Sequence, residues 1–202
     1  MESRAAAPLA QPGRTGPTLT RAAMNAESFV VRPATADDVP TIAAIYAYHV
    51  ETGTASFELS PPSVDEMRER FEVCARGDYP YFVAERAGRV VGYAYAGPYR
   101  ARPAYRHTVE NSVYVEASDV GRGIGGALLA VLVEHCEARG FRQMIAIIGG
   151  ADNAASIRLH AKHGFVETGR LLAVGYKHER WLDTVMMQLA LGPGATAPPT
   201  RA

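Results

Sequence analysis

Gly121-Arg122-Gly123-Ile124-Gly125-Gly126 places four glycines between a stretch that reads as a strand and one that reads as a helix. Glycine turns freely at positive φ, so such a run can aim successive backbone N–H groups at one spot beside the positive end of a helix dipole. That is a cradle for a phosphate or pyrophosphate. The same residues match G-x-G-x-x-G, a weak signal on its own. Glu116 to Val120 separate the strand from the first glycine, and a β-hairpin stands where a dinucleotide fold would open a βαβ unit. No Gly-Lys-Ser/Thr follows, which excludes a P-loop. The plain alternative is a flexible loop that lets a helix pack closely.

A second group strengthens the functional reading. Asn153, Ser156 and His160, spaced i, i+3 and i+7, share one face of a helix that starts just after the strand following the glycines. Ile157 and Ala161, with Gly164-Phe165 beyond, form an apolar seam beside them, as expected of a helix bordering a cleft. His160 and His163 lie three apart, but no third ligand accompanies them, so no metal is expected. Neither a Ser-His-Asp nor a Cys-His nucleophile is legible.

The elements that must position these groups follow from punctuation and periodicity. Ser28 to Arg32 reads as a strand. Thr35 and Asp38 cap a helix to about His49, and the Ser63-Val-Asp-Glu66 capping box opens a second helix ending near Gly77. Tyr79 to Glu85 and Val90 to Ala96 form a hairpin about Gly88. Then come a strand at Thr108 to Glu116, a helix at about Arg122 to Arg139, a strand at Gln143 to Ile148, a helix at about Asp152 to Lys162, and strands near Phe165 to Leu172 and Trp181 to Leu189. The order βααβββαβαββ predicts an α/β domain with a mixed sheet over residues 28–190. Residues 1–27 and 191–202, rich in Ala, Pro, Gly and Thr, are expected to be flexible tails, with Met24 a candidate start.

At 202 residues one domain is expected, and 21 Lys plus Arg against 21 Asp plus Glu give no net field toward nucleic acid or an anionic membrane. Cys74 and Cys136 are far apart and read as reduced thiols, which fits a cytoplasmic protein. No apolar run approaches the roughly 20 residues of a membrane span, and Ala5 to Ala10 is too short for a signal sequence.

Val120-Gly-Arg-Gly123-Ile-Gly125 resembles the coenzyme A loop R/Q-x-x-G-x-G/A of the GCN5-related N-acetyltransferase superfamily, with Val120 at the Arg/Gln position. Glu51 to Phe57, Tyr95 to Arg102, Tyr105 to Val115, Ile147 to Gly149, Arg158 to His160 and Gly175 to His178 with Trp181 resemble successive stretches of the phosphinothricin acetyltransferases. The resemblance implies a mixed, mostly antiparallel sheet with splayed central parallel strands flanked by helices. It also implies acetyl-CoA as co-substrate, and direct acetyl transfer to the α-amine of a small amino acid such as L-phosphinothricin or L-methionine sulfoximine or sulfone.

By the same resemblance, backbone groups of Val113, Tyr114 and Val115 meet the pantetheine arm and the acetyl carbonyl. Gly121 to Gly126, including Arg122 and Ile124, hold the pyrophosphate, and Asn153, Ser156 and Lys162 complete the cofactor side. Glu110 is the general base. On the residues alone it is equally a strand glutamate facing solvent or pairing with Arg106 or His107. His160 is an acid or an organising group. Phe57, Tyr105 and Ser112 border the acceptor, and Arg100, Arg102 and Arg106 around Tyr105 suit an α-carboxylate, the rival being three solvated arginines. A homodimer is implied. A peptide or protein amine acetyltransferase and a silent acetyl-CoA-binding module are the alternative readings.

Overall fold

The computed structural model describes residues 28–199 and 201. Its elements run β1 Val30–Pro33, α1 Val39–Thr52, α2 Val64–Arg76, β2 Tyr81–Arg86, β3 Arg89–Pro98, β4 Thr108–Val115, α3 Ile124–Ala138, β5 Gln143–Gly149, α4 Ala154–Lys162, β6 Val166–Lys177 and β7 Arg180–Ala190. The strands form one sheet in the order β1-β2-β3-β4-β5-β7-β6.

β4 and β5 are the parallel pair, with α3 as their crossover, and every other neighbouring pair is antiparallel. Their ladder holds only from Thr108↔Gln143 to Glu110↔Ile145. Beyond it β4 stays paired with β3 as far as Val115, and β5 with β7 as far as Gly149. The two strands therefore part just after Glu110, leaving backbone groups that face a wedge instead of a neighbour.

Each face of the sheet buries its own cluster. One centres on Leu128, Leu129 and Leu132 of α3 against Val91, Ala94 and Val109. The other sets Ile42, Ile45 and Tyr46 of α1 and Met67 of α2 against Val83 and Tyr93. A bulge in β3, where Glu85↔Val90 is followed by Ala84↔Gly92, turns both Val91 and Gly92 toward α3. A Cβ on Gly92 would lie 3.2 Å from Ile124 and 3.3 Å from Leu128, so glycine there sets how closely α3 seats on the sheet.

Local structure refines several boundaries. Thr35 and Asp38 do form a capping box, but on a 3₁₀ turn, and α1 starts at Val39. The Arg32 fork donates twice to Asp38 at 2.8 Å, pushing that carboxyl down to about 2. β6 runs five residues past its expected end near Leu172 and meets β7 through a turn in which His178 and Glu179 both take positive φ.

The expected flexible tail at 191–202 needs correction over its described part. Leu191 is buried, Arg142 donates to the Pro198 carbonyl, and the Arg201 guanidinium lies 4.3 Å from the centre of the Phe141 ring. Apolar and cation–π contacts hold a segment that composition alone marks as loose. The other expected tail, residues 1–27, lies outside the described residues.

Candidate active site

Side chains alternate along β4 at the point where the strands part. Tyr114 packs with the α1 cluster, whereas Val113 and Val115 pack with the α3 cluster, so Glu110, Ser112 and Tyr114 face one way and Asn111, Val113 and Val115 the other. On the α1/α2 side a cavity of about 570 Å³ opens over Glu110 and Ser112, with Tyr95 and Gly97 from β3 and Arg70 and Cys74 from α2 as walls. Burial raises the Glu110 carboxyl, opposed by Arg100, and Glu110 pairs with neither Arg106 nor His107.

A long cleft of about 670 Å³ runs from the wedge, past Val113 to Val115, to Gly121 and Gly123–Gly126 at the head of α3. Gly121 and Gly123 hold φ of 84° and 81°, and Gly123, the residue preceding α3, supplies no side-chain cap. The first N–H groups of α3 thus face the cleft without a helical partner, in a peptide path that glycine adopts without strain. This geometry fits a pyrophosphate.

Between the two lies a gap of about 60 Å³ in the wedge itself, bordered by Ser112, Val113, Tyr114, Asn153, Ser156 and His160. It shares Ser112 with the Glu110 cavity and Val113, Tyr114, Asn153 and Ser156 with the cleft. A donor in the cleft and an acceptor over Glu110 would meet there.

Asn153 caps α4 by accepting from the Ser156 N–H at 3.2 Å. His160, 4% exposed, sets Nδ1 2.8 Å from the Ser156 carbonyl and Nε2 3.0 Å from Asn111 Oδ1. Asn111 Nδ2 in turn donates to the Ile145 carbonyl at 3.1 Å. Asn111 thus bridges the parting strands and ties them to α4. Burial lowers the His160 imidazole, and both its nitrogens are engaged.

Other expected site residues lie elsewhere. A 3₁₀ turn, with Tyr105 N donating to Arg102 O at 2.9 Å and Arg106 N to Pro103 O at 3.1 Å, folds the 99–106 loop on itself. Arg100 stacks on Tyr99, Tyr105 meets Tyr99 edge-on, and Arg106 donates to Pro103, so none of Arg100, Tyr105 and Arg106 lines the Glu110 cavity. The guanidinium on its wall is Arg70, which donates to Glu58 at 2.7 Å. Phe57 fills a slot over Gly149 and Gly175, where an added Cβ would fall 2.8 and 2.3 Å from its ring. Lys162, two residues past His160, turns away and is exposed, while Arg158 and Leu159 line the cleft. Arg122 sits 3.5 Å from Asp119 and does not line the cleft.

Three contributors escape the sequence reading. His49 Nε2 donates to the Val115 carbonyl at 2.9 Å, holding the strand edge beside the cleft. Asn111 carries no motif signal. Asp119, fully buried just before the glycines, pairs with Arg86, Arg89 and Arg122 and so anchors the approach to the cradle. Among the described residues no cluster of three metal-ligating side chains forms.

A sheet with one parallel pair that splays over a glycine-headed helix defines the GCN5-related acetyltransferase class. The Acetyltransferase (GNAT) family profile matches residues 43–165, and the chain belongs to that family and is an N-acetyltransferase. It is 49% identical over 188 residues to a phosphinothricin N-acetyltransferase of Alcaligenes faecalis, covering 93% of each chain. It is 42% identical over 169 residues to an L-methionine sulfoximine/L-methionine sulfone acetyltransferase of Pseudomonas aeruginosa, covering 83% of this chain and 98% of that one. The crystal structure of a Sinorhizobium meliloti phosphinothricin acetyltransferase in complex with acetyl-CoA superposes with a TM-score of 0.84 at 48% identity, over 86% of this chain and 94% of that one.

Proposed function

We propose that the protein transfers the acetyl group of acetyl-CoA directly to the α-amine of a small L-amino acid, with L-phosphinothricin and L-methionine sulfoximine or sulfone as acceptors. The observation that carries this reading is the continuity of the Glu110 cavity, the wedge and the glycine-headed cleft across Ser112 to Tyr114. Gly121 to Gly126 hold the pyrophosphate, and the unpaired edge of Val113 to Val115 aligns the thioester arm. Glu110 takes the proton that the acceptor ammonium must lose before its lone pair attacks. A carboxylate raised by burial suits that task better than an ordinary one. His160, with both nitrogens engaged, acts as an organiser of the wedge through Asn111. Arg70 on the cavity wall and Arg100, whose field reaches Glu110, are the cations available to the acceptor carboxylate.

The relatives named for small amino acids at 42–49% identity support this substrate class over peptide amines. Two buried free thiols are consistent with a cytoplasmic setting, and no described helix is long and apolar enough to cross a membrane. The exposed apolar edge of β6 supports a homodimer.

Coenzyme A release measured over an acceptor panel tests the assignment. Amidating the acceptor α-carboxylate is expected to cost about 1.5–3 kcal/mol in kcat/KM, as for a lost charge-assisted hydrogen bond. Faster turnover of carboxyl-blocked amino acids or peptide N-termini than of the free small acids would overturn it.

A further inference from the structure

At the end of β4 opposite the glycine loop, a second polar site lies outside the catalytic wedge. Arg142, immediately before β5, is 8% exposed. Its Nη2 donates to the Pro198 carbonyl, but its Nη1 is shielded from solvent with no hydrogen-bond partner. Among the described residues it forms no ion pair. His107, whose carbonyl accepts from Arg142 N at 2.8 Å, also presents both ring nitrogens shielded and without a partner. Both side chains line an open concavity of about 480 Å³, closed by Thr108, Gln143 and the segment Gly194 to Pro199. Burial, and after it the positive charges of Arg106, Arg142 and Arg201, hold the His107 imidazole below the usual range.

A buried guanidinium without a counter-charge is costly, as is a ring with two unmet nitrogens, and one anion would remedy both. We propose that this concavity binds a compact oxyanion, such as phosphate or a carboxylate, whose entry past the wall of residues 194–199 satisfies the shielded Arg142 Nη1 and His107 ring nitrogens. The guanidinium presents N–H groups to oxygen in the geometry that oxyanions accept, and a doubly protonated imidazole adds a second donor. The C-terminal segment has a role in this arrangement, because Pro198 fixes the other half of the Arg142 fork and residues 194–199 form the outer wall.

The experiment uses the full chain saturated with coenzyme A, so that the glycine cradle is filled and cannot take the added anion. Inorganic phosphate, acetate and chloride are titrated separately at constant ionic strength while the His107 ring resonances are followed by NMR. Phosphate or acetate, but not chloride, is expected to saturate and to move the His107 titration midpoint to higher pH, because a bound anion reverses the field of the three arginines. Saturation by phosphate alone identifies a phosphate site, and by acetate a carboxylate site. Arg142→Gln should weaken binding by about tenfold to a hundredfold, the range of one charge-assisted hydrogen bond. His107→Gln, with its ring at the concavity, gives a second variant if the first fails to fold, read by calorimetric titration with the same expectation. No saturable response up to about 50 mM, where general screening takes over, would overturn the site. Undiminished affinity in the folded variants would overturn it equally.

Discussion

Glu110, the proposed base, is a side chain whose burial costs stability. Its carboxyl is raised by burial and lacks an ion pair, so the folded chain holds that proton more tightly than the unfolded chain does. The sign follows from linkage: the contribution favours folding below the ordinary carboxylate range and is lost as pH rises through the raised folded value. Glu110→Gln should therefore melt at a higher temperature than the parent near pH 7, with the difference closing toward about pH 4. Its kcat should fall roughly 10²-fold or more, with the acid limb of the pH–rate profile gone. A variant that keeps that limb would place the base elsewhere. His160 faces the opposite conflict. Nδ1 meets a carbonyl and Nε2 meets Asn111 Oδ1, an arrangement that asks both nitrogens to carry protons, whereas burial and His163 favour the neutral ring. Turning the Asn111 amide over would relieve the ring only by setting two oxygens together at Ile145. Asn111→Asp should raise the His160 titration midpoint, followed by NMR. Asn111→Ala, which strands Ile145 O and Nε2, should lose about 1–3 kcal/mol in urea unfolding and raise the KM for acetyl-CoA. Unchanged values in both variants would remove Asn111 from the positioning of the wedge.

At the level of elements, the glycine loop is where sequence and structure agree most closely, because its signal is local. Gly123 at φ 81° meets nothing within 4 Å, so bulk alone does not forbid a side chain there and the backbone conformation does. Gly123→Val forces a β-branched residue into the left-handed region at the head of α3, costing on the order of 1–2 kcal/mol, and should weaken acetyl-CoA binding in calorimetric titration while the fold persists. Native affinity with a native melt would show that the cradle is not the pyrophosphate site. The element order and the capping box at Ser63 were legible for the same reason of locality. The cross-chain ties were not: His49 reaches Val115 across 66 residues and His160 reaches Asn111 across 49, and no short window of sequence contains both partners. Of the 99–106 arginines, Arg106 is folded back on Pro103 by a 3₁₀ turn that leaves little periodic trace, while Arg100 stacks on Tyr99 with its charge still acting on Glu110. The end of β6 was missed because its register against β7 shifts twice and its turn, His178-Glu179, lacks the glycine or asparagine that marks such turns.

At the scale of the whole molecule, β6 and β1 are the two edges of the sheet, and β6 is the longer and more apolar. β6, twelve residues long, exposes Val166, Leu171, Leu172, Val174 and Tyr176, with Leu172 at 72%, and Trp181 of β7 stands beside Tyr176 at 5.2 Å between ring centres. Glu167 and Arg170 put an exposed ion pair on its first part, but the apolar stretch from Leu171 invites further pairing, since natural monomers blunt such edges with charge, proline or an overlying element. Residues 171–177 contain one charge, Lys177, and it is turned inward to the Ser56 carbonyl. A two-fold contact between identical copies would bury the patch and close on itself without propagating into fibres. Sedimentation equilibrium is therefore expected to give twice the chain mass at micromolar concentration. The double variant Leu172→Lys with Val174→Lys should shift the species to the single-chain mass, since like charges then face each other across the symmetry axis. The catalytic wedge lies between β4 and β5 beside α4, with β7 standing between β5 and β6, so acetyl-CoA affinity of the dissociated variant, read by calorimetry, should stay within about threefold of the parent if the fold is intact. A parent protein of single-chain mass at these concentrations would show that the β6 edge tolerates water and that the dimer reading is wrong.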